Sequence, residues 1–282
     1  MNPWIRLPKV PVVEGRHAIV LSKCKGKRVL HLGCVDSGLL EERFSRNELM
    51  HQRLASVASE LWGIDIDEDG IAFLLRQGFQ NVVVADVCQL AAVEAIKGRR
   101  FDVILASEIL EHLQNPGMFL GSIHGLMSGR TAELIVTVPN AFRIANLVSL
   151  LRGWEYVHPD HNYWFSYHTI TNLLMKNGFD ISEVYVYVMR SQPFSHLMIG
   201  RDDKHDATIA VVERERGTIA SRIRGLFKRL ALRLLSVPAS LVFAALFRTA
   251  SFWGDGIVVV ATTRGTSSEP AGYSGGLEED LG

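Results

Sequence analysis

The stretch Tyr156-Val157-His158-Pro159-Asp160-His161-Asn162-Tyr163-Trp164-Phe165 sets two imidazoles beside an aromatic run. Histidine is the side chain best suited to exchange a proton near neutral pH, so this segment can deprotonate an alcohol or phenol. His161 is the first candidate for that base and His158 the second. Both can equally serve only to hold their loop by hydrogen bonds. Two carboxylates carry a different chemistry. Asp65 ends the run Glu60-Leu61-Trp62-Gly63-Ile64, where a carboxylate can accept hydrogen bonds from both hydroxyls of a ribose. Ile66 beside it would pack on the adenine face. Asp86 ends a second such run and can accept from the adenine amino group, while the backbone of Val87 meets the ring edge. Each aspartate taken singly can also be a solvated strand end; together they describe an adenosine pocket.

A glycine leaving a strand lets the backbone turn tightly beside a ligand, and Gly33 follows Arg28-Val29-Leu30-His31-Leu32. Three other ligand motifs fail on spacing. Gly33 and Gly38 have P-loop separation, but Leu39 stands where the phosphate-binding lysine belongs. A dinucleotide fingerprint needs glycine where Val35 stands. The acidic run from Asp65 to Gly70 imitates a calcium loop, yet Arg76 occupies the position of its bidentate glutamate. Cys24, Cys34 and Cys88 form no paired motif, so neither zinc nor a disulfide framework is expected.

These residues need elements to carry them. Apolar runs at 28–32, 60–64, 81–85, 101–106 and 133–138 alternate with segments of helical period at 49–59, 68–77, 89–97 and 117–127. That alternation predicts parallel strands joined by crossover helices, and strands apolar on both faces predict a sheet covered on both sides. Asn115-Pro116 should start the helix at 117, and Glu111 and His112 read as capping or packing residues opening the helix after the fourth strand. Ser166 should cap a further helix that stops at Lys176-Asn177-Gly178. A sixth strand is expected at 181–189 and a seventh at 256–263. The fold class is therefore α/β, a doubly wound and mostly parallel seven-stranded sheet with helices on both faces.

The set VLHLGCVDSG, LWGIDIDEDG, VVVADV, FDVILASEILEHLQNPGMFL and LIVTVPN, in this order, resembles the class I S-adenosylmethionine-dependent methyltransferases, and within them the small-molecule O-methyltransferases such as those of quinone biosynthesis. The resemblance covers roughly residues 25–190 and implies a Rossmann-like methyltransferase fold. It implies that Gly33 approaches the methionine portion of the cofactor, that Asp65 holds the ribose, that Asp86 and Val87 frame the adenine, and that Ser107 lines the methionine side. His31 stands where the family has an acidic residue, and Val35 where it has a second glycine. Those departures keep open a non-catalytic S-adenosylmethionine-binding module, with a nicotinamide-dependent oxidoreductase as a third reading.

Residues 1–190 are read as the cofactor-binding core, 191–253 as a helical insertion or lid, 254–264 as the last core strand and 265–282 as a disordered acidic tail. The insertion is long where connections usually run about 4–6 residues. From Gly217 to Arg248 it holds Arg222, Arg224, Lys228, Arg229, Arg233 and Arg248 and no Asp or Glu. With apolar residues at helical spacing, this describes a basic amphipathic helix able to lie on an anionic membrane. A covering helix pair or a dimer interface explains the pattern equally well. The run 234–247 is broken by Pro238 and falls short of the roughly 20 residues that span a bilayer. Lys plus Arg equals Asp plus Glu at 30 each, so no strongly basic face for nucleic acid is expected. Pro3, Pro8 and Pro11 interrupt the N-terminal region where a secretion signal would need its apolar core. The expected partner is a small-molecule or lipid-linked methyl acceptor, and the expected place the cytoplasm, with peripheral contact to the inner face of a membrane; the oligomeric state stays open.

Overall fold

Valine, isoleucine and leucine fill the central runs, and such residues settle where both sides of a pleated sheet are covered. A computed structural model describes residues 4–5, 7–189 and 253–264. The chain begins β1 (Val12–Glu14), α1 (Arg16–Cys24), β2 (Arg28–Leu32), α2 (Leu40–Ser45), α3 (Met50–Ala55), β3 (Glu60–Asp65), α4 (Glu68–Arg76) and β4 (Val82–Val84). Two short 3-10 turns, Val87–Ala92 and Glu94–Ile96, lead to β5 (Val103–Ser107), α5 (Pro116–Met127), β6 (Glu133–Pro139) and α6 (Ile144–Leu151). After these come α7 (Tyr167–Lys176), β7 (Phe179–Val188) and β8 (Gly256–Thr263).

The strands form one sheet in the order β1-β7-β8-β6-β5-β2-β3-β4. β8 runs antiparallel to β6 and β7, and every other pair is parallel. Strand β2 pairs Leu30 with Ile104 and Val29 with Val103 of β5. Alternate residues therefore feed two cores: Leu30, Leu32, Ile64, Ile104 and Val136 on one face, Val29, Val103, Leu105, Ile135 and Val258 on the other. Successive strands run outward from β2 through β3 to β4 and, on the other side, from β5 to β6. The direction reverses between β2 and β5, the place where open α/β sheets leave a crevice at the strands' carboxyl ends.

The helix after the histidine loop forms where the sequence places it. Ser166 Oγ accepts from the Thr169 amide and Thr169 Oγ1 from the Ser166 amide, a reciprocal capping box. Gly178 takes the left-handed φ of 86° that ends the helix. Other expectations need correction. The sheet has eight strands among the described residues, not seven, because Val12–Glu14 adds a parallel edge to β7. Three residues are too short a run for a periodicity signal. The helix expected at 89–97 is two 3-10 turns, since Asp86 caps the first and Gln89 leaves helical geometry at φ −128°. Glu111 and His112 open no helix; they lie in the turn before α5, whose cap is Asn115. Helices α1, α2 and α6 are additional to those read from the sequence. The insertion expected at 191–253, apart from its last residue, and the tail at 265–282 lie outside the described residues.

Candidate active site

Strands β2 and β3 end together, and their ends shape the first half of the site. Gly33 donates its amide to the carbonyl of Ile64 at 2.9 Å and has φ 70°. That backbone angle favours glycine, and a Cβ there would press on Ile109 Cδ1 at 2.9 Å, the far end of a flexible side chain. Asp65 is 8% exposed and fixes the loop that follows β2 by accepting from the Val35 amide at 2.8 Å. Its other oxygen accepts from the Asp67 amide at 3.1 Å. Burial raises the pKa of Asp65, an effect that the amides of Val35, Asp67 and Ile66 partly offset. Each oxygen keeps acceptor capacity for a further donor. Ile66 is 73% exposed, an apolar face left open beside that carboxylate.

Asp86 caps the 3-10 turn after β4, taking the Cys88 amide at 2.8 Å and Gln89 Nε2 at 3.1 Å. The Cys88 amide first, then Gln89, lowers its pKa. Its carboxylate is thus engaged in local structure, and what it offers a ligand is remaining lone pairs. Val87 is buried beside it. On β5, the Ser107 hydroxyl lies 3.1 Å from that of Thr137, which donates to Glu108 Oε1 at 2.9 Å.

Gly33, Asp65, Ile66, Asp86, Val87, Ser107, His158 and His161 all line one cleft of about 820 Å3 at the reversal between β2 and β5. This is within the size range of small-molecule sites, about 300–1,000 Å3. The aromatic run 163–165 beside the histidines does not line it. Phe165 turns into the core, and Tyr163 instead ties its hydroxyl to the Gln114 carbonyl at 2.9 Å.

The cleft also gathers residues that no local pattern announced. Arg16, the first residue of α1, reaches Glu108 at 3.5 Å. Burial opposes its charge, but Glu108 and Tyr187 outweigh that and raise its pKa. Its Nε is buried without a hydrogen-bond partner, a donor aimed at nothing in the protein. Glu108 has a left-handed φ of 54°, a conformation that costs a non-glycine residue about 1–2 kcal/mol, and Tyr187 donates to it at 3.2 Å. Glu111 is 1% exposed with neither carboxylate oxygen hydrogen-bonded, and burial, then the charge of Glu108, pushes its pKa well up. His31 faces His51 with their Nδ1 atoms 3.3 Å apart, both rings buried. Burial lowers both pKa values, that of His51 to about 3, so the pair is neutral.

His158 and His161 come to the mouth of the cleft because their loop is pinned onto the turn after β5. The Asn162 amide donates to the Glu111 carbonyl at 2.7 Å, and Asn162 Nδ2 to the His112 carbonyl at 2.8 Å. His112, read from the sequence as a capping or packing residue, thereby joins them, with ring centroids 4.6 Å from His161 and 5.7 Å from His158. Burial first, then the neighbouring imidazoles, lowers the pKa of His161. The shift favours the neutral ring over the charged one.

A methyltransferase domain family model matches residues 12–184. Curated relatives include a ubiquinone biosynthesis O-methyltransferase of Azorhizobium caulinodans, 33% identical over 162 residues that make up 56% of this chain and 58% of that protein. Another of the same description, from Rhodopseudomonas palustris strain HaA2, is 32% identical over 143 residues, 50% of this chain and 51% of the relative. The chain thus spans about half the length of the curated relatives it matches. Similar solved structures include the magnesium protoporphyrin IX methyltransferase of Synechocystis PCC 6803 with bound SAH, at 17% identity and TM-score 0.44, covering 62% of this chain and 76% of that one. An S-adenosylmethionine dependent methyltransferase from Mesorhizobium loti aligns at 15% identity and TM-score 0.42, covering 87% and 94%.

Proposed function

We propose, for a chain that belongs to the methyltransferase domain family, that it moves the methyl group of S-adenosylmethionine to an oxygen of a small-molecule or lipid-linked acceptor. The observation that carries this reading is one cleft containing a glycine at a left-handed φ, a buried carboxylate with spare acceptor capacity and a buried arginine Nε without a hydrogen-bond partner. Those features fit the cofactor. Asp65 would hold the ribose, Ile66, Asp86 and Val87 the adenine, and Gly33, Ser107 and Arg16 the methionine end, with Arg16 Nε answering its carboxylate. When bound, S-adenosylmethionine supplies an electrophilic methyl on a sulfonium.

The protein's own part is alignment, exclusion of water and removal of the acceptor's proton. His161 is the first candidate to take that proton and His158 the second, both at the cleft mouth. A lipid-linked acceptor is favoured by apolar surface in the segment that leads to the histidine loop: Leu150, Leu151 and Trp154 are 68%, 87% and 67% exposed at and after the end of α6. Such apolar and aromatic side chains suit a membrane interface. The basic stretch 217–248 would add attraction to the cytoplasmic leaflet, and no helix among the described residues is long and apolar enough to cross a membrane.

Calorimetry of the full chain with S-adenosylmethionine, S-adenosylhomocysteine and NAD tests the cofactor. Binding of the first two and not the third is expected. Binding of NAD alone would point to an oxidoreductase, and cofactor binding without transfer to any hydroxylated acceptor would leave a binding module.

A further inference from the structure

The turn after β5 and the loop after α6 bring His112, His158 and His161 together, although 46 residues separate His112 from His158 in the chain. One ring nitrogen of each lies within 4.8 Å of the others. We infer that these three imidazoles form a binding site for a borderline divalent cation of the Zn2+ class, at the acceptor end of the cleft. Cysteine pairs and acidic runs are the local patterns that mark zinc and calcium sites in a sequence, and this site has neither.

Geometry and ligand chemistry carry the inference. An ion held tetrahedrally at about 2.0–2.1 Å sets its ligand atoms about 3.3 Å apart, so closing the cluster needs only small ring rotations. The segment 150–160, which carries His158, is exposed throughout and has room for them. Three imidazoles suit zinc, copper, nickel or iron, whereas magnesium and calcium prefer oxygen ligands. The wider surroundings fit as well. Asp160 donates its amide to His158 Nδ1 at 3.3 Å and holds a carboxylate oxygen 3.8 Å from the same atom. Ligation through Nε2 would move the ring proton to Nδ1, so that the amide contact gives way to one with the nearby carboxylate, the kind of partner that orients metal-bound histidines. Glu111, next to His112, adds a buried carboxyl without a hydrogen-bond partner to the same cleft.

Three protein ligands leave one position open, and the histidines line the cleft, so the open position would meet an acceptor hydroxyl. There the O–H bond breaks more easily, the proton leaving to bulk water and the oxygen keeping its electron pair on the ion. His161 would then act as a ligand, and the ion in place of a free imidazole base. That consequence rests on the methyl-transfer reading; the binding itself does not.

The test uses the untagged full chain, treated with a chelator, dialysed and titrated with ZnCl2 and, separately, with MgCl2. One equivalent of Zn2+ and no Mg2+ binding are expected. His112→Ala and His158→Ala should each weaken Zn2+ by more than the roughly 10–100-fold typical of losing a partner behind the ligands. His158 is exposed, so its variant should fold even if the other does not. Zn2+ affinity that is unchanged in His158→Ala, or binding below one equivalent, overturns the site. The same metal-free protein is titrated with S-adenosylmethionine: cofactor binding without Zn2+ binding defeats this inference alone, and the reverse defeats the methyl-transfer reading alone.

Discussion

At Asp65 a single carboxylate closes a loop and faces a cleft, and the two tasks use different lone pairs. Asp65→Ala should weaken S-adenosylmethionine binding by about 1–3 kcal/mol, the range for losing hydrogen bonds to a buried charged acceptor. The Val35 and Asp67 amides lose their partner in that variant. Asp65→Asn, which keeps one acceptor oxygen, should therefore fall between it and the wild type in the same titration. An affinity unchanged in a folded alanine variant would remove Asp65 from the site. His161 has a different signature. It reaches the cleft from the loop after α6 and not from the ends of β2 and β3, so His161→Ala should lower turnover by at least about 100-fold while leaving cofactor affinity intact. Near-normal turnover on an identified acceptor would reduce it to a residue that holds its loop.

The sheet brings the catalytic edge together only if β2 and β5 start in register, and at the opposite edge an ion pair ties the start of β2 to the residue before β5. Arg28 Nη2 meets Asp102 Oδ1 at 2.6 Å and Arg28 Nε meets Oδ2 at 3.0 Å, while the Arg28 amide donates to Oδ2 at 2.9 Å. Hydrogen bonding from Arg28 holds the Asp102 pKa down at about 2, below its ordinary value of 3.8. A carboxylate with a depressed folded pKa stabilises the fold above the unfolded value and loses that contribution as pH falls through the folded one. The wild type should therefore lose urea resistance more steeply than Asp102→Asn between pH 4 and about 2. Parallel curves for the two proteins would show that the pair contributes nothing measurable, as some exposed pairs do.

For the whole molecule, the proposal joins a cleft to a membrane, and charge and apolar burial should act together there. Each Lys or Arg near an anionic surface is worth about 1 kcal/mol, so replacing Arg222, Arg224, Lys228 and Arg229 with Gln should release much of the protein from anionic vesicles. Raised salt should do the same, because the attraction decays within about 8–10 Å near physiological ionic strength. Flotation of the intact chain and the Gln variant, with varied anionic lipid and at low and high salt, reads this directly. Retention in the soluble fraction at high anionic content and low salt would leave 217–248 as a cover or an interface between copies.

Local pattern was enough to read the strands β2 to β6, the helix that Ser166 caps and the glycine and carboxylate at the ends of β2 and β3. Periodicity, caps and strand-end polar residues are properties of neighbours in the chain, and burial on both faces of a sheet writes them into consecutive residues. The edge strand Val12–Glu14 escaped, since three residues carry no period. The helix expected at 89–97 failed because Asp86, assigned to a ligand, bonds the amide two residues on and tightens the turn. Arg16, Glu108, Tyr187 and the His31–His51 pair are joined by contacts spanning 20 to 92 residues of sequence, the longest from Arg16 to Glu108. Local pattern places His112 at a helix start; only the Asn162 bonds that fold the later loop onto its turn give it two imidazole neighbours. Sequence determined which residues end strands, because strand formation is local; the tertiary structure decided which of them share a cleft, because the crossing of the chain between β2 and β5 is not.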